Sequence, residues 1–358
     1  MSDYGDSRFR IYNGLGVPLA EMNVPVRVVW SLNEQGSGEF HISARYDAKA
    51  RRDLLKPGNL VLFEHARLGG WGGVIVPHDG MEWQGDGLIV VRMRESMFQF
   101  ARRRAPLFNW APLYKLVKGF LAELIFYANL DEDARLREGN LQPSNKSNRM
   151  VMNDAMLSDI LANVSKSGRN YVYTEPGFDE QNLLIFKVNM VPGAKHLASL
   201  DGASYYALQE DVNIETPNGT FYREGGELAN DLMVRNDAEE DGKIVRVRVE
   251  DDASIRQYYR WQGVKYYGIE DEDAMRVRAD KDIVEFTKFH HAVMITAIES
   301  PESPDTFSHL RIGRLVRVLL HSVGFYNGER GVDLLGQIMA LEYDSEERRC
   351  IVSVEVIE

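Results

Sequence analysis

What most constrains this chain is a succession of short β-branched or aromatic runs, separated by turn-forming residues, between Val24 and Val91. Val26–Trp30, Glu39–Arg45, Asn59–Glu64, Trp71–Val76 and Gly87–Met93 have the side chains that pack well on a pleated surface, and each is short for a helix. Between them stand Asn33–Gly38, Lys56–Gly58, Gly69-Gly70 and Pro77–Gly80, whose φ preferences and local side-chain hydrogen bonds favour turns. Five strands in about 70 residues predict a small barrel or sandwich.

The period then changes. Leu113, Leu116, Val117, Phe120, Leu121, Leu124 and Ile125 recur at the spacing of a helix with one buried face. A second helix is expected from Asn153, a good N-cap, through Met156, Ile160, Leu161 and Val164 to Gly168. Gly139–Asn148 between them reads as a polar loop, while Tyr171–Thr174 and Leu183–Met190 read as strands. Strand character returns at Ile244–Val249 and Gly263–Gly268, then at Leu315–Leu320, Leu334–Glu342 and Cys350–Val356. Met275, Ala279, Ile283 and Phe286 suit a third helix within about 272–289.

One stretch repeats. Leu55, Gly58, Leu60 and Val61 are matched 255 residues later by Leu310, Gly313, Leu315 and Val316. Each copy runs into a second glycine-containing strand, Trp71-Gly72-Gly73-Val74-Ile75 in the first and Gly336-Gln337-Ile338 in the second. The fold class expected is mainly β with an α+β insertion, two related barrel-like β modules flanking a small α+β domain. The boundaries are 1–106 for the first module, 107–200 for the inserted domain, and 201–358 for the second module with its helical insertion.

At 358 residues, 44% of them apolar and 27% charged, the chain is long enough for two or three domains and is not disordered by composition. Its formal charge of −12 argues against broad adhesion to nucleic acid, which depends on neutralising phosphates. The lone Cys350 excludes an intrachain disulfide and a cysteine-built metal site, and suits a core position. Apolar stretches fall short of the ~20 residues a spanning helix needs, and Met1–Arg10 lacks a signal-peptide core, so the chain is expected to start in a cytoplasm without inserting in a membrane.

Catalytic patterns fail. There is no Gly-x-Ser-x-Gly elbow, no His-Glu-x-x-His helix and no phosphate loop, and Gly69–Gly73 lies among strands without a following helix. Adjacent His290 and His291 point apart on either a helix or a strand, and Asp237–Gly242 imitates a calcium loop whose closing position is occupied by Arg248. Acidic pairs at Asp131/Asp133 and Glu270/Asp273 offer carboxylates for glycoside hydrolysis, but read more simply as solvated groups at helix ends. No catalytic, cofactor or metal site is therefore assigned. Two clusters are candidates for interfaces: Arg102-Arg103-Arg104 among aromatics, and Tyr258-Tyr259-Arg260-Trp261.

Phe9–Phe108 resembles the N-terminal module of the tail hub proteins, also called baseplate hub or tail-tip proteins, of long-tailed siphovirus-type bacteriophages. The residues that carry the likeness are Leu32-Asn33-Glu34-x-Gly36-x-Gly38-x-Phe40, Leu54-Leu55-x-Pro57-Gly58-x-Leu60-Val61, Trp71-Gly72-Gly73-Val74-Ile75 and Phe100–Arg104, in that order. Leu310–Val318 and Leu335–Ile338 resemble the second barrel of such a hub. The resemblance implies a virion component of the tail tip or baseplate, assembled in the bacterial host cytoplasm. It further implies a homotrimeric ring, whose two barrels per chain meet a sixfold tail tube. Implied partners are tail-tube, distal-tail, tape-measure and spike or fibre proteins, with DNA passing through without sequence-specific binding. The alternatives are the hub of a contractile injection system and a tail-associated carbohydrate-active enzyme.

Overall fold

The computed structural model describes residues 7–32, 35–43, 52–76, 81–83, 87–106, 113–141, 147–150, 155–168, 170–193, 205–215, 220–224, 229–236, 245–267, 272–286, 290–326 and 329–357. The N-terminal region supplies β1 (Ser7–Tyr12), β2 (Pro18–Met22), β3 (Val26–Ser31), β4 (Ser37–Ser43), β5 (Leu60–His65), β6 (Gly69–Ile75), β7 (Met81–Trp83) and β8 (Leu88–Glu95). Next come α1 (Phe98–Ala101), β9 (Leu113–Leu116), α2 (Val117–Ala128), β10 (Leu136–Leu141), β11 (Ser147–Met150), α3 (Leu157–Gly168), β12 (Asn170–Phe178) and β13 (Leu184–Pro192). The rest holds β14 (Tyr206–Gln209), β15 (Thr220–Glu224), β16 (Asp231–Asn236), β17 (Arg246–Glu250), α4 (Asp252–Tyr258), β18 (Gln262–Tyr267) and α5 (Glu272–Phe286). The chain ends with β19 (His290–Ala297), α6 (Thr306–His309), β20 (Leu315–Tyr326), β21 (Glu329–Asp344) and β22 (Arg349–Val356). The fold is thus mainly β with an α+β insertion, and it divides into residues 1–220 with 293–358, and residues 221–292.

In the first unit one large sheet runs β19-β22-β21-β3-β4-β8-β6-β5-β1-β2, with β20 and β14 joined through β21 and β7 joined to β8. The described strand pairings leave this path open between β2 and β19. The long β21 unites the two ends of the chain. Its first half pairs with β20, Leu315 opposite Gln337, and its second half with β3, Leu341 opposite Trp30. All but one side chain of β5 are buried, because its two faces serve two cores. Leu60 and Leu62 point into the core shared with the α+β region. Phe63 packs between Trp30 and Tyr343, with ring centroids 6.4 and 5.9 Å away.

The α+β region sets the three-stranded sheet β10-β13-β12 and the pair β9-β11 beside α2 and α3. The helix expected from Leu113 begins four residues later, at Val117. Leu113–Leu116 is instead a strand, with its backbone paired to Ser147–Met150. Gly139–Leu141 and Ser147-Asn148, read from sequence as loop, are likewise in strands β10 and β11. Asn153 and the turn at Pro77–Gly80 lie outside the described residues.

The second unit is a small layer of its own. Sheet β17-β16-β18 buries Leu232, Val234, Val247 and Val249 against Met275, Ala279 and Ile283 of α5. The period of two in the strands and of about four in the helix brings these residues onto facing surfaces. Among the described residues no helix is long and apolar enough to cross a membrane.

Candidate interaction surfaces

The repeated segments share one backbone construction. Gly58 and Gly313 have φ of +91° and +77°, a region where a Cβ is strained, so each copy turns into its strand on a glycine. The Gly58 N–H donates to the Ile75 carbonyl at 2.9 Å and the Ile75 N–H to the Asn59 carbonyl at 2.9 Å. In the second copy the Gly313 N–H donates to Ile338 at 2.8 Å and the Ile338 N–H to Arg314 at 2.9 Å. Val61 then stands opposite Gly73, and Val316 opposite Gly336. Leu55, Leu60, Val61, Leu310, Leu315 and Val316 are all buried. The surroundings differ: β1 runs antiparallel to β5, whereas β14 runs parallel to β20.

Trp71 explains much of the glycine pattern around it. Its indole N–H donates to the Val29 carbonyl at 2.9 Å, while the Trp30 N–H donates to Gly70 at 2.9 Å. Two strands lie between β3 and β6 in the sheet. These reciprocal bonds therefore join parts of the sheet that curl toward each other. A Cβ at Gly73 would stand 2.4 Å from the Trp71 ring, so only glycine admits the indole there. On the opposite face, a Cβ at Gly72 would stand 2.5 Å from Phe186 of β13, which is how the α+β region seats on β6. That region also reaches the second copy: Val191 packs on Gly313, and the Tyr171 hydroxyl donates to Glu355 at 2.8 Å.

Beside this junction lies Glu95, fully buried. Its carboxyl accepts from the Gly36 N–H at 3.0 Å and from the Thr174 hydroxyl at 3.3 Å. Burial pushes its pKa up to about 8 against these bonds. Neither periodicity nor any motif marks this residue in the sequence. Burial likewise raises the pKa of the Cys350 thiol, consistent with an inert core residue.

The two clusters singled out from the sequence behave differently. Arg102 and Arg104 are exposed, but Arg103 is half-buried, donating to the Gln99 side chain at 3.0 Å and the Glu132 carbonyl at 3.4 Å. The backbone on either side is pinned, the Ala105 N–H to Ala155 at 2.8 Å and the Leu157 N–H to Arg103 at 3.0 Å. Tyr259 is 85% and Trp261 54% exposed. The cause is Asn230, itself buried. Its amide donates to the Tyr259 carbonyl and accepts from the Trp261 N–H, each at 2.7 Å, and Tyr259 turns at φ +63°. The Tyr258 side chain lies outside the described residues, as do those of His290 and His291.

Of the two acidic pairs, only Asp131/Asp133 lies wholly among the described residues. Asp133 is bound by Arg137 at 2.8 Å and by Arg135 at 3.2 Å, which hold its carboxyl down to about 2. A carboxylate so ionised cannot act as a general acid near neutrality. Glu270 and the Asp237–Gly242 segment are outside the described residues, and Asp273 sits in the first turn of α5. The described residues hold no group of three or more His, Cys, Asp or Glu suited to a metal ion.

Among solved structures the chain superposes over nearly its full length. The crystal structure of the 43 kDa tail protein of prophage MuSo2 from Shewanella oneidensis matches with a TM-score of 0.59 at 10% identity, covering 98% of each chain. That of the tail protein from Neisseria meningitidis MC58 gives 0.59 at 12% identity, covering 98% of this chain and 96% of that one.

The fold is that of prophage tail proteins.

Prophage tail protein gp18 from Listeria monocytogenes EGD-e matches at 0.52 with 12% identity, covering 97% and 94%. No family model and no curated protein sequence matches the chain. At such identities most residues differ while the overall fold is kept.

Proposed function

We propose that this protein is a non-catalytic structural subunit of a phage tail, acting as the hub of the tail tip or baseplate. The observation that carries the reading is the end-to-end correspondence with the tail proteins. The duplicated hairpin supports the finer form. Three copies with two equivalent modules each can meet six equivalent contacts on a sixfold tube, with the α+β region bridging the modules of one chain. Arg102–Arg104 and the Tyr259–Trp261 turn are the proposed contacts for neighbouring tail proteins.

Light scattering on the purified protein tests the ring, with an expected mass three times the 40.8 kDa chain. A stable dimer would count against it. Reconstruction of the assembled particle is the stricter measurement: three copies around the tail axis are expected, and six or one would overturn the hub assignment.

A further inference from the structure

We propose that His65 is an acid-operated latch: its neutral ring holds the β5–β6 turn against the segment 299–311, which leads into the second hairpin, and a proton on that ring releases the two. His65 ends β5 and is buried. Its Nδ1 accepts from the backbone N–H groups of Arg67 at 3.2 Å and Leu68 at 3.1 Å. A ring nitrogen that accepts carries a lone pair and no hydrogen, so the imidazole is neutral with its hydrogen on Nε2.

The turn that these bonds shape belongs to a closed circuit. The Arg67 guanidinium donates to Glu299 and to the Pro304 carbonyl. Glu299 in turn accepts from the Phe307 N–H at 3.3 Å, and the Phe307 ring lies edge-on to the imidazole, 6.0 Å between centroids. Tyr343 of β21 forms the other wall, also edge-on, at 4.8 Å. Leu310, three residues past Phe307, opens the second copy of the repeat. The circuit therefore ties the entry of the second hairpin to the turn of the first.

A proton on Nδ1 would turn an acceptor into a donor aimed at two N–H groups. Both bonds would be lost, and a cation would stand between two aromatic rings away from water. The closed turn and the protonated ring thus exclude each other. An imidazole open to water takes its proton near pH ~6.5, so closing the turn releases one. The latch is at full strength above about pH 6.5 and weakens as pH falls below it.

The charged groups on the elements around His65 are already matched. Glu64 pairs with Arg10 at 3.0 Å, Arg67 with Glu299, and Asp305 with His309 at 3.0 Å, while Arg311 donates to the Phe307 and Leu310 carbonyls. A proton on His309 would tighten its pair with Asp305 and so act in the opposite sense. On the strands that flank β5, Ser7 and Gly69 stand opposite His65 and bring no charge.

Hydrogen exchange of the full-length chain tests the latch, read by mass spectrometry at about pH 7.5 and about pH 5.5 and normalised for the intrinsic effect of pH. Peptides covering 65–69 and 299–311 are expected to open about tenfold more often at the lower pH, the factor that one proton gives over this interval. Peptides from Asp231–Asn236, in the other unit, should not share the change. His65→Asn cannot ionise, and its side-chain oxygen can accept from the N–H groups two and three residues on, so it should abolish the pH step. Glu299→Gln removes the other titratable member of the circuit and should keep the step. No step in the wild-type chain, a step shared equally by both units, its survival in His65→Asn or its loss in Glu299→Gln would each overturn the proposal. Should His65→Asn fail to fold, the wild-type comparison and Glu299→Gln decide without it.

Discussion

Opposite Gly73 on the next strand stands Glu95; opposite Gly336, at the corresponding place in the second hairpin, stands Val356. The hairpins β5–β6 and β20–β21 share their entry glycine, their closing hydrogen bonds and their register, and a Cβ at either strand glycine would strike the neighbouring strand's backbone. The nearest carbonyl is Arg94 at 2.5 Å in one and Glu355 at 2.6 Å in the other. What differs is the packing around them. The first hairpin carries a fully buried indole and a buried carboxyl, and the second carries Leu334 and an apolar partner. A backbone device can thus be repeated within a chain while the side chains around it are free to specialise, because its requirements are only φ, a missing Cβ and two hydrogen bonds.

That comparison can be broken at its side chains. Trp71→Ala removes a fully buried indole and its bond to Val29, and is expected to cost about 3–5 kcal/mol in denaturant unfolding. Leu334→Ala, at the corresponding position, should cost less, at the lower end of about 2–5 kcal/mol. If Leu334→Ala proved the more damaging, Trp71 would not be the keystone of the first hairpin.

Glu95 makes a second distinction. Its folded-state pKa of about 8 lies above the ordinary carboxyl value, so the folded chain holds a proton that the unfolded chain releases. Stability from this group is fully present below pH ~4.5 and is lost as pH rises through about 8, at up to about 1.4 kcal/mol per pH unit. Glu95→Gln, neutral at every pH, should remove that slope from a series of melts between pH 5 and 9. An unchanged slope would place the titration elsewhere.

The shared backbone gives the remaining two tests. Gly73→Ala and Gly336→Ala should each cost about 1–3 kcal/mol through overpacking, and by similar amounts if the strands are equivalent. Gly313→Ala should cost more than Gly58→Ala. Both positions have positive φ, worth about 1–2 kcal/mol, but a Cβ at Gly313 also meets Val191 at 3.1 Å, whereas the space around Gly58 is open. Equal costs would mean that Val191 yields freely.

The strands from Val26 to Glu95 were legible because each is a short apolar run bounded by turn residues, and so was the repeat, whose identities lie where the backbone tolerates few residues. The start of α2 was misread for a physical reason: Leu113, Leu116 and Val117 satisfy the helical period, yet the backbone of Leu113–Leu116 pairs with a strand more than thirty residues later in the chain. Arg103, a candidate interface residue in a run of three arginines, is held within the chain by Gln99 and Glu132. Asn230 carried no signal at all, since one buried amide that fixes a turn is indistinguishable in sequence from any other asparagine.

By itself the sequence determined the class of fold, the α+β insertion and the duplicated Leu-x-x-Gly-x-Leu-Val turn, since periodicity and glycine placement express local steric rules that act residue by residue. Only the tertiary structure decided that β21 joins both ends of the chain in one sheet and that Trp30 and Trp71 exchange bonds across a curled sheet. It also decided that Glu95 is sealed from water and that Arg235 stacks on the Tyr266 ring. Those outcomes depend on which distant groups come within a few ångströms of each other, and desolvation and charge balance are properties of that neighbourhood rather than of any stretch of chain.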